Sequence, residues 1–154
     1  MNIEKLKSEY SKYEKKYNLP NIDELITYFE LEKTEEEIYL ILRQIRKIMI
    51  EKVANAANFI EMLLNPVNLP RIYMAYVNTI DQKEKEKINK IYSEIAPIIV
   101  KSLESELEYN EEKEANLIKE TLKSWKKVKE ELISIIKNIQ NPIESPKKSK
   151  DYFG

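Results

Sequence analysis

The chain has 154 residues and contains no Cys, no His and a single Gly, the final residue Gly154. Those absences exclude disulfides, thiolate nucleophiles, imidazole bases and metals held by Cys or His. They also exclude the Walker A, GxGxxG and GxSxG turns, whose backbones require internal glycines. Lys plus Arg number 26 against 27 Asp plus Glu, a net charge of −1, so no overall basic excess points to nucleic acid.

The charged residues are mostly Lys and Glu, which favour helices. With 42% hydrophobic residues the chain can build a core. No apolar run approaches the ~18 residues of a membrane span. Met1 to Lys7 lacks the basic-then-apolar order of a signal peptide. The sequence therefore reads as a soluble intracellular protein with no membrane partner, cytoplasmic by default.

Pro and Asn punctuate the chain where Gly usually would. Asn18-Leu19-Pro20, Asn65-Pro66 and Asn141-Pro142 each follow a helical pattern, and Asn tolerates the left-handed conformation that ends helices. The first predicted helix runs from Ile3 to Tyr17, with Ile3, Leu6, Tyr10, Tyr13 and Tyr17 on one seam. The second runs from about Ile22 to Leu31, with Asn21 as N-cap and Glu24 completing a capping-box pattern.

A third helix is predicted from the Thr34/Glu37 capping box to about Leu64. Its stripe is Ile38, Leu42, Ile45, Met49, Val53, Ala56, Ile60 and Leu63, with Ile41, Ile48 and Phe59 widening it. The rigid link Asn65 to Pro70 leads to a short helix from about Arg71 to Ile80, apolar nearly all round. That helix is either a core plug or an exposed docking surface carried by Ile72, Tyr73, Tyr76 and Val77. The groove left by long amphipathic neighbours favours the plug.

Asp81 and Glu84 mark the start of a helix carrying Ile88, Ile91, Tyr92, Ile95, Ile99, Leu103 and Leu107. Pro97 should kink or break it, and residues Pro97 to Val100 could form an extended piece instead. Asn110 then caps a helix to about Gln140, with Ala115, Ile118, Leu122, Trp125, Leu132, Ile136 and Ile139 at heptad positions and Lys129 interrupting them. These last two helices read as an antiparallel hairpin, with one continuous helix from about Ile98 as the competing arrangement.

The expected fold is all-α: an elongated bundle of three long helices with shorter helices packed on it, held by a coiled-coil-like seam. Residues 1–141 form one domain. Residues 142–154, PIESPKKSKDYFG, are expected to be a disordered tail. The seam on the last helix can pair within the chain or, as a homo-oligomer, between chains.

Carboxylates are the remaining candidates for chemistry. Glu35, Glu36 and Glu37, and Glu111, Glu112 and Glu114, sit in predicted first helical turns, where negative charge is stabilising. The EExxE and ExxD pattern of all-α nucleotide pyrophosphohydrolases is absent, with Tyr39 and Ala115 where the last Glu would fall. Di-iron bundles need ExxH, which a chain without His cannot supply. The sequence assigns no catalytic residue, metal or cofactor.

Arg43, Arg46 and Lys47 form a basic cluster that reads as a solvated face. Lys123, Lys126, Lys127 and Lys129 flank Trp125, but Glu120, Glu130 and Glu131 dilute the patch, and Trp125 lies on the seam. The tail retains the pair Tyr152-Phe153. It resembles the clamp-binding peptides of replication proteins, which end in an aromatic pair after an aliphatic residue and an upstream Gln. Here Ser149 and Pro146 occupy those two positions, while Gln140 and Ile143 have the same mutual spacing further upstream.

The resulting expectation is a non-enzymatic interaction or scaffold protein whose partner is another protein, bound through Ile72, Tyr73 and Tyr76 and through Tyr152 and Phe153. A tail folded back on its own bundle is the competing reading for the aromatic pair. The alternatives for function are an accessory factor of a DNA replication or other nucleic-acid machine, recruited by the tail, and a carboxylate- and Mg-dependent enzyme.

Overall fold

The computed structural model describes residues 3–31 and 40–140. Every regular element among them is helical, and no strand occurs. The helices are α1 (Ile3–Tyr17), α2 (Ile22–Phe29), α3 (Ile41–Leu64), α4 (Arg71–Val77), α5 (Gln82–Leu107) and α6 (Glu111–Gln140), with a 3-10 turn at Pro66–Asn68.

Side-chain caps set several starts. Asn21 accepts from the Asp23 N–H, Asp81 from that of Glu84 and Asn110 from that of Lys113, each at 2.8 or 2.9 Å. Glu24 does not close a capping box, because its carboxylate reaches Lys126 on α6. Asn18 ends α1 at φ 50, the left-handed state expected of it. Asn65 does not share that role, since its φ is −127. The third Asn-Pro stop, Asn141-Pro142, and the Thr34/Glu37 box lie outside the described residues.

Two boundaries differ from expectation because non-Gly residues take the left-handed conformation. Glu30 at φ 56 closes α2 one residue after Phe29. Leu40 at φ 61 precedes Ile41, so α3 cannot run unbroken from Thr34. At Pro97, by contrast, α5 continues without a break, and no extended piece forms there. Residues Glu108 to Asn110 separate α5 from α6, which removes the continuous-helix alternative.

The chain direction follows from the cross-links. Lys113–Glu104, Lys101–Glu120 and Lys127–Glu94 form a ladder that makes α5 and α6 antiparallel. Arg43 bonds the Ser105 carbonyl and Arg46 bonds Ser102, so α3 is antiparallel to α5. The three helices α3, α5 and α6 pack mutually, while α1 and α2 lie on α3 and α4 lies on α6.

The core is continuous and mainly aliphatic, with Tyr10, Phe29 and Trp125 as its buried aromatics: Ile45, Met49 and Ile60 from α3, Ile88 and Ile95 from α5, and Ala115 and Ile118 from α6 are fully buried. Full burial of a large aliphatic side chain contributes about 1.5–3 kcal/mol. On α6 the buried set includes Leu122, Trp125, Leu132 and Ile139, and a second line through Glu114, Leu117, Thr121, Val128 and Ile135. Ile136 is only half-buried.

On α5 the inward seam is Ile88, Ile91, Ile95, Ile98, Ser102 and Ser105. Leu103 and Leu107, expected on that seam, point outward instead, 61% and 90% exposed. Two serines face inward at this end of the bundle, and Ser102 Oγ there accepts a hydrogen bond from the buried Arg46.

Candidate functional site

The bundle has two chemically different ends. One, where α3 and α6 begin and α5 finishes, is polar inside. Arg46 is 1% exposed, and its guanidinium bonds both carboxylate oxygens of Glu114, at 2.7 Å from Nε and 3.1 Å from Nη2. Its Nη1 donates to Ser102 Oγ at 3.0 Å and to Glu106 at 2.5 Å. Glu114 is itself fully buried, and Arg43 Nε lies 3.5 Å from it. Arg43 also stacks over Tyr109, 5.3 Å from the ring centroid, and Lys47 pairs with Glu106.

Burial disfavours the Arg46 cation, but the hydrogen bonds and charges of Glu114 and Glu106 outweigh it and raise its pKa. For Glu106, burial pushes upward, yet Arg46 and Lys47 hold it below the usual carboxylate range. The basic cluster expected on a solvated face is therefore partly internal. Every Arg46 nitrogen finds an acceptor within the chain, while the buried Arg43 Nε has only the 3.5 Å ion pair with Glu114 and no hydrogen bond among the described residues; the network links α3, α5 and α6.

The opposite end is apolar and open. Pro66 starts the 3-10 turn, and Pro70 sets the entry to α4 at φ −55. Thr79 donates to the Tyr76 carbonyl, and Ile80, 7% exposed, pins the segment after α4 to the core. α4 itself buries none of its residues. Ile72 is 71% exposed, Met74 49%, Tyr73 38% and Tyr76 36%. The core-plug expectation for this helix is thus corrected: α3, α5 and α6 close on one another and leave no central space for it.

The α4 residues Ile72, Tyr73 and Tyr76 instead form one wall of a groove. Phe59 and Leu63 of α3 and Ile136 and Ile139 of α6 form the other, enclosing about 270 Å³. Three of the sequence-selected binding residues are therefore brought together. The other two, Tyr152 and Phe153, lie outside the described residues. Sequence reasoning missed the α3 and α6 wall, since Phe59 and Ile136 are ordinary seam residues until the helices are assembled.

Of the remaining candidates, Glu35, Glu36 and Glu37 lie outside the described residues, and several others are tied to structural partners. Lys126 pairs with Glu24, Lys127 pairs with Glu94, and Lys126 and Lys129 both lie over the Tyr28 ring. Trp125 is 5% exposed and packs 6.1 Å from Phe29, with an indole N–H that finds no acceptor among the described residues. Glu111 binds Lys16 and the Tyr17 hydroxyl. Among the described residues no three acidic side chains come together in a way that could hold a metal ion, and no described helix is long and apolar enough to cross a membrane.

Compared with known proteins, the chain matches no family model, and no curated protein or solved structure matches it.

Proposed function

We propose that this chain is a non-enzymatic helical interaction or scaffold protein that binds another protein through the α4 face. The supporting observation is the run of exposed large apolar side chains Ile72, Tyr73, Met74 and Tyr76, three of which, Ile72, Tyr73 and Tyr76, line a groove of about 270 Å³. Apolar surface concentrated around a concavity is costly to leave in water and supplies aromatic anchors of the type that dominate interfaces. In this reading the three long helices form an elongated bundle with a coiled-coil-like seam on α6, the protein works in the cytoplasm, and Tyr152-Phe153 provides a second contact.

The test is affinity capture from native lysate with the full chain, an Ile72→Glu/Tyr76→Ala variant and a chain lacking residues 142–154. Proteins retained by the full chain should be lost by the α4 variant while its circular dichroism and melting temperature stay unchanged. An identical capture profile for the two would exclude α4 as the binding face.

A further inference from the structure

The α5 helix carries a second apolar stripe that its own chain leaves largely exposed, only Ala96 in it being half-buried. Ala96, Val100, Leu103 and Leu107 follow at spacings of four, three and four, one helical stripe. Val100 is 66% exposed, Leu103 61% and Leu107 90%. Three of the charges beside this stripe are engaged within the chain: Lys101 with Glu120, Glu104 with Lys113, and Glu106 with Arg46 and Lys47. The short helices α1, α2 and α4 pack on α3 and α6, which leaves this side of α5 without a covering helix among the described residues.

We infer that a second copy of this chain packs on this stripe, with the two α5 helices antiparallel about a two-fold axis near Lys101 and Ser102. The argument is self-complementarity of size, which a two-fold contact requires. In the antiparallel register, Ala96 falls opposite Leu107 of the partner subunit, and Val100 falls opposite Leu103 of the partner subunit. Every layer then joins a smaller side chain to a leucine, so the layers fill evenly. A parallel pairing would place two alanines together at one end and two leucines at the other, leaving a gap at the first. In the antiparallel register Glu104 falls beside Pro97 of the partner subunit, so no like charge opposes it.

Few residues carry the stripe, so the contact falls short of the roughly 800 Å² per partner typical of stable complexes. The dimer should therefore dissociate on dilution. The surface is separate from the α4 groove, and the two readings fail independently.

Sedimentation equilibrium of the full chain from about 10 μM to about 1 mM spans the affinities open to such a contact. A monomer–dimer equilibrium is expected, and Leu103→Glu should abolish it with an unchanged melting temperature. The chain has no native Cys, which makes a second test clean. Oxidation of a mixture of Ala96→Cys and Leu107→Cys chains should give a disulfide-linked heterodimer. Ala96→Cys alone should not cross-link, because its two copies would be offset by 11 residues, about 16 Å. A monomer at every concentration, a dimer that survives Leu103→Glu, or efficient self-cross-linking of Ala96→Cys would each overturn the proposal. A loss of several degrees in the Leu103→Glu melting temperature, compared at concentrations where the chain is monomeric, would show instead that a segment of the same chain covers the stripe.

Discussion

Replacing Glu114 by Gln preserves the shape of the side chain and removes the charge that Arg46 faces. Arg46 is 1% exposed and donates two of its hydrogen bonds to this carboxylate, at 2.7 and 3.1 Å. Among the described residues, the only other carboxylate bonded to it is Glu106, which is 38% exposed at its side chain and shared with Lys47. Breaking a buried pair by removing one partner costs about 3–5 kcal/mol, because the surviving charge remains out of water. For a chain of this size that corresponds to a fall in melting temperature of roughly 10–15 °C. Replacing both partners, Arg46→Met with Glu114→Leu, removes the stranded charge and should restore most of the loss. Arg43, 23% exposed at its side chain, can then turn toward solvent. Denaturant unfolding followed by the emission of Trp125, the single tryptophan, measures all three chains. A loss below about 1 kcal/mol for Glu114→Gln would refute the reasoning, as would a double variant no more stable than the single one.

Acidification should destabilise the fold. The pKa of Glu106 is lowered by Arg46 and Lys47 against the opposing effect of burial, and those of Glu94, Glu104 and Glu111 are lowered first by hydrogen bonds to Lys127, Lys113 and Lys16. Depressed native values mean the unfolded chain binds more protons, so this stability is present above the ordinary value of 4.5 and lost as pH falls below it. Urea midpoints measured from pH 7 to pH 3 should therefore be flat and then fall. Glu30→Gly should raise stability by about 0.5–1 kcal/mol, since the left-handed backbone at φ 56 strains any residue with a Cβ; a decrease in the urea midpoint would show that Glu30 makes a contribution outweighing that strain. Leu122→Ala, at a buried position, should cost about 2–5 kcal/mol, and Leu103→Ala about 0.5 kcal/mol or less, compared at concentrations where the chain is monomeric.

Much of the helical plan is legible from local chemistry. The α1 boundaries, the Asn21, Asp81 and Asn110 caps, and the burial of Leu122, Trp125 and Leu132 all follow from residue type and spacing. What is not legible depends on residues distant in sequence. Leu40 gives no local indication that it will adopt φ 61, so the start of α3 cannot be placed from Thr34 alone. Arg46 completes the 4-3-4 line Leu42, Arg46, Met49 and Val53, but its charge hides that membership until Glu114, 68 residues away, is folded against it. Ser102 takes an inward position on α5 as an acceptor for Arg46, Ser105 is buried beside it, and the leucines that look like core residues are left outside. Of the candidate site, the apolar character of α4 could be read from the sequence, but not its exposure, since an all-round apolar pattern fits a core plug equally well. The opposing wall of Phe59, Leu63, Ile136 and Ile139 required the helices to be assembled.

The ionic clasp at the closed end also fixes how the helices are indexed along one another. A seam built mainly of Ile and Leu offers nearly equivalent packing after a slip of one turn, about 5.4 Å. Here such a slip of α6 would carry Glu114 away from Arg46 and bring Asn110 or Ile118 into its place, leaving the cation with only the half-exposed Glu106. Misaligned bundles are thereby penalised by an amount that greasy contacts alone could not supply.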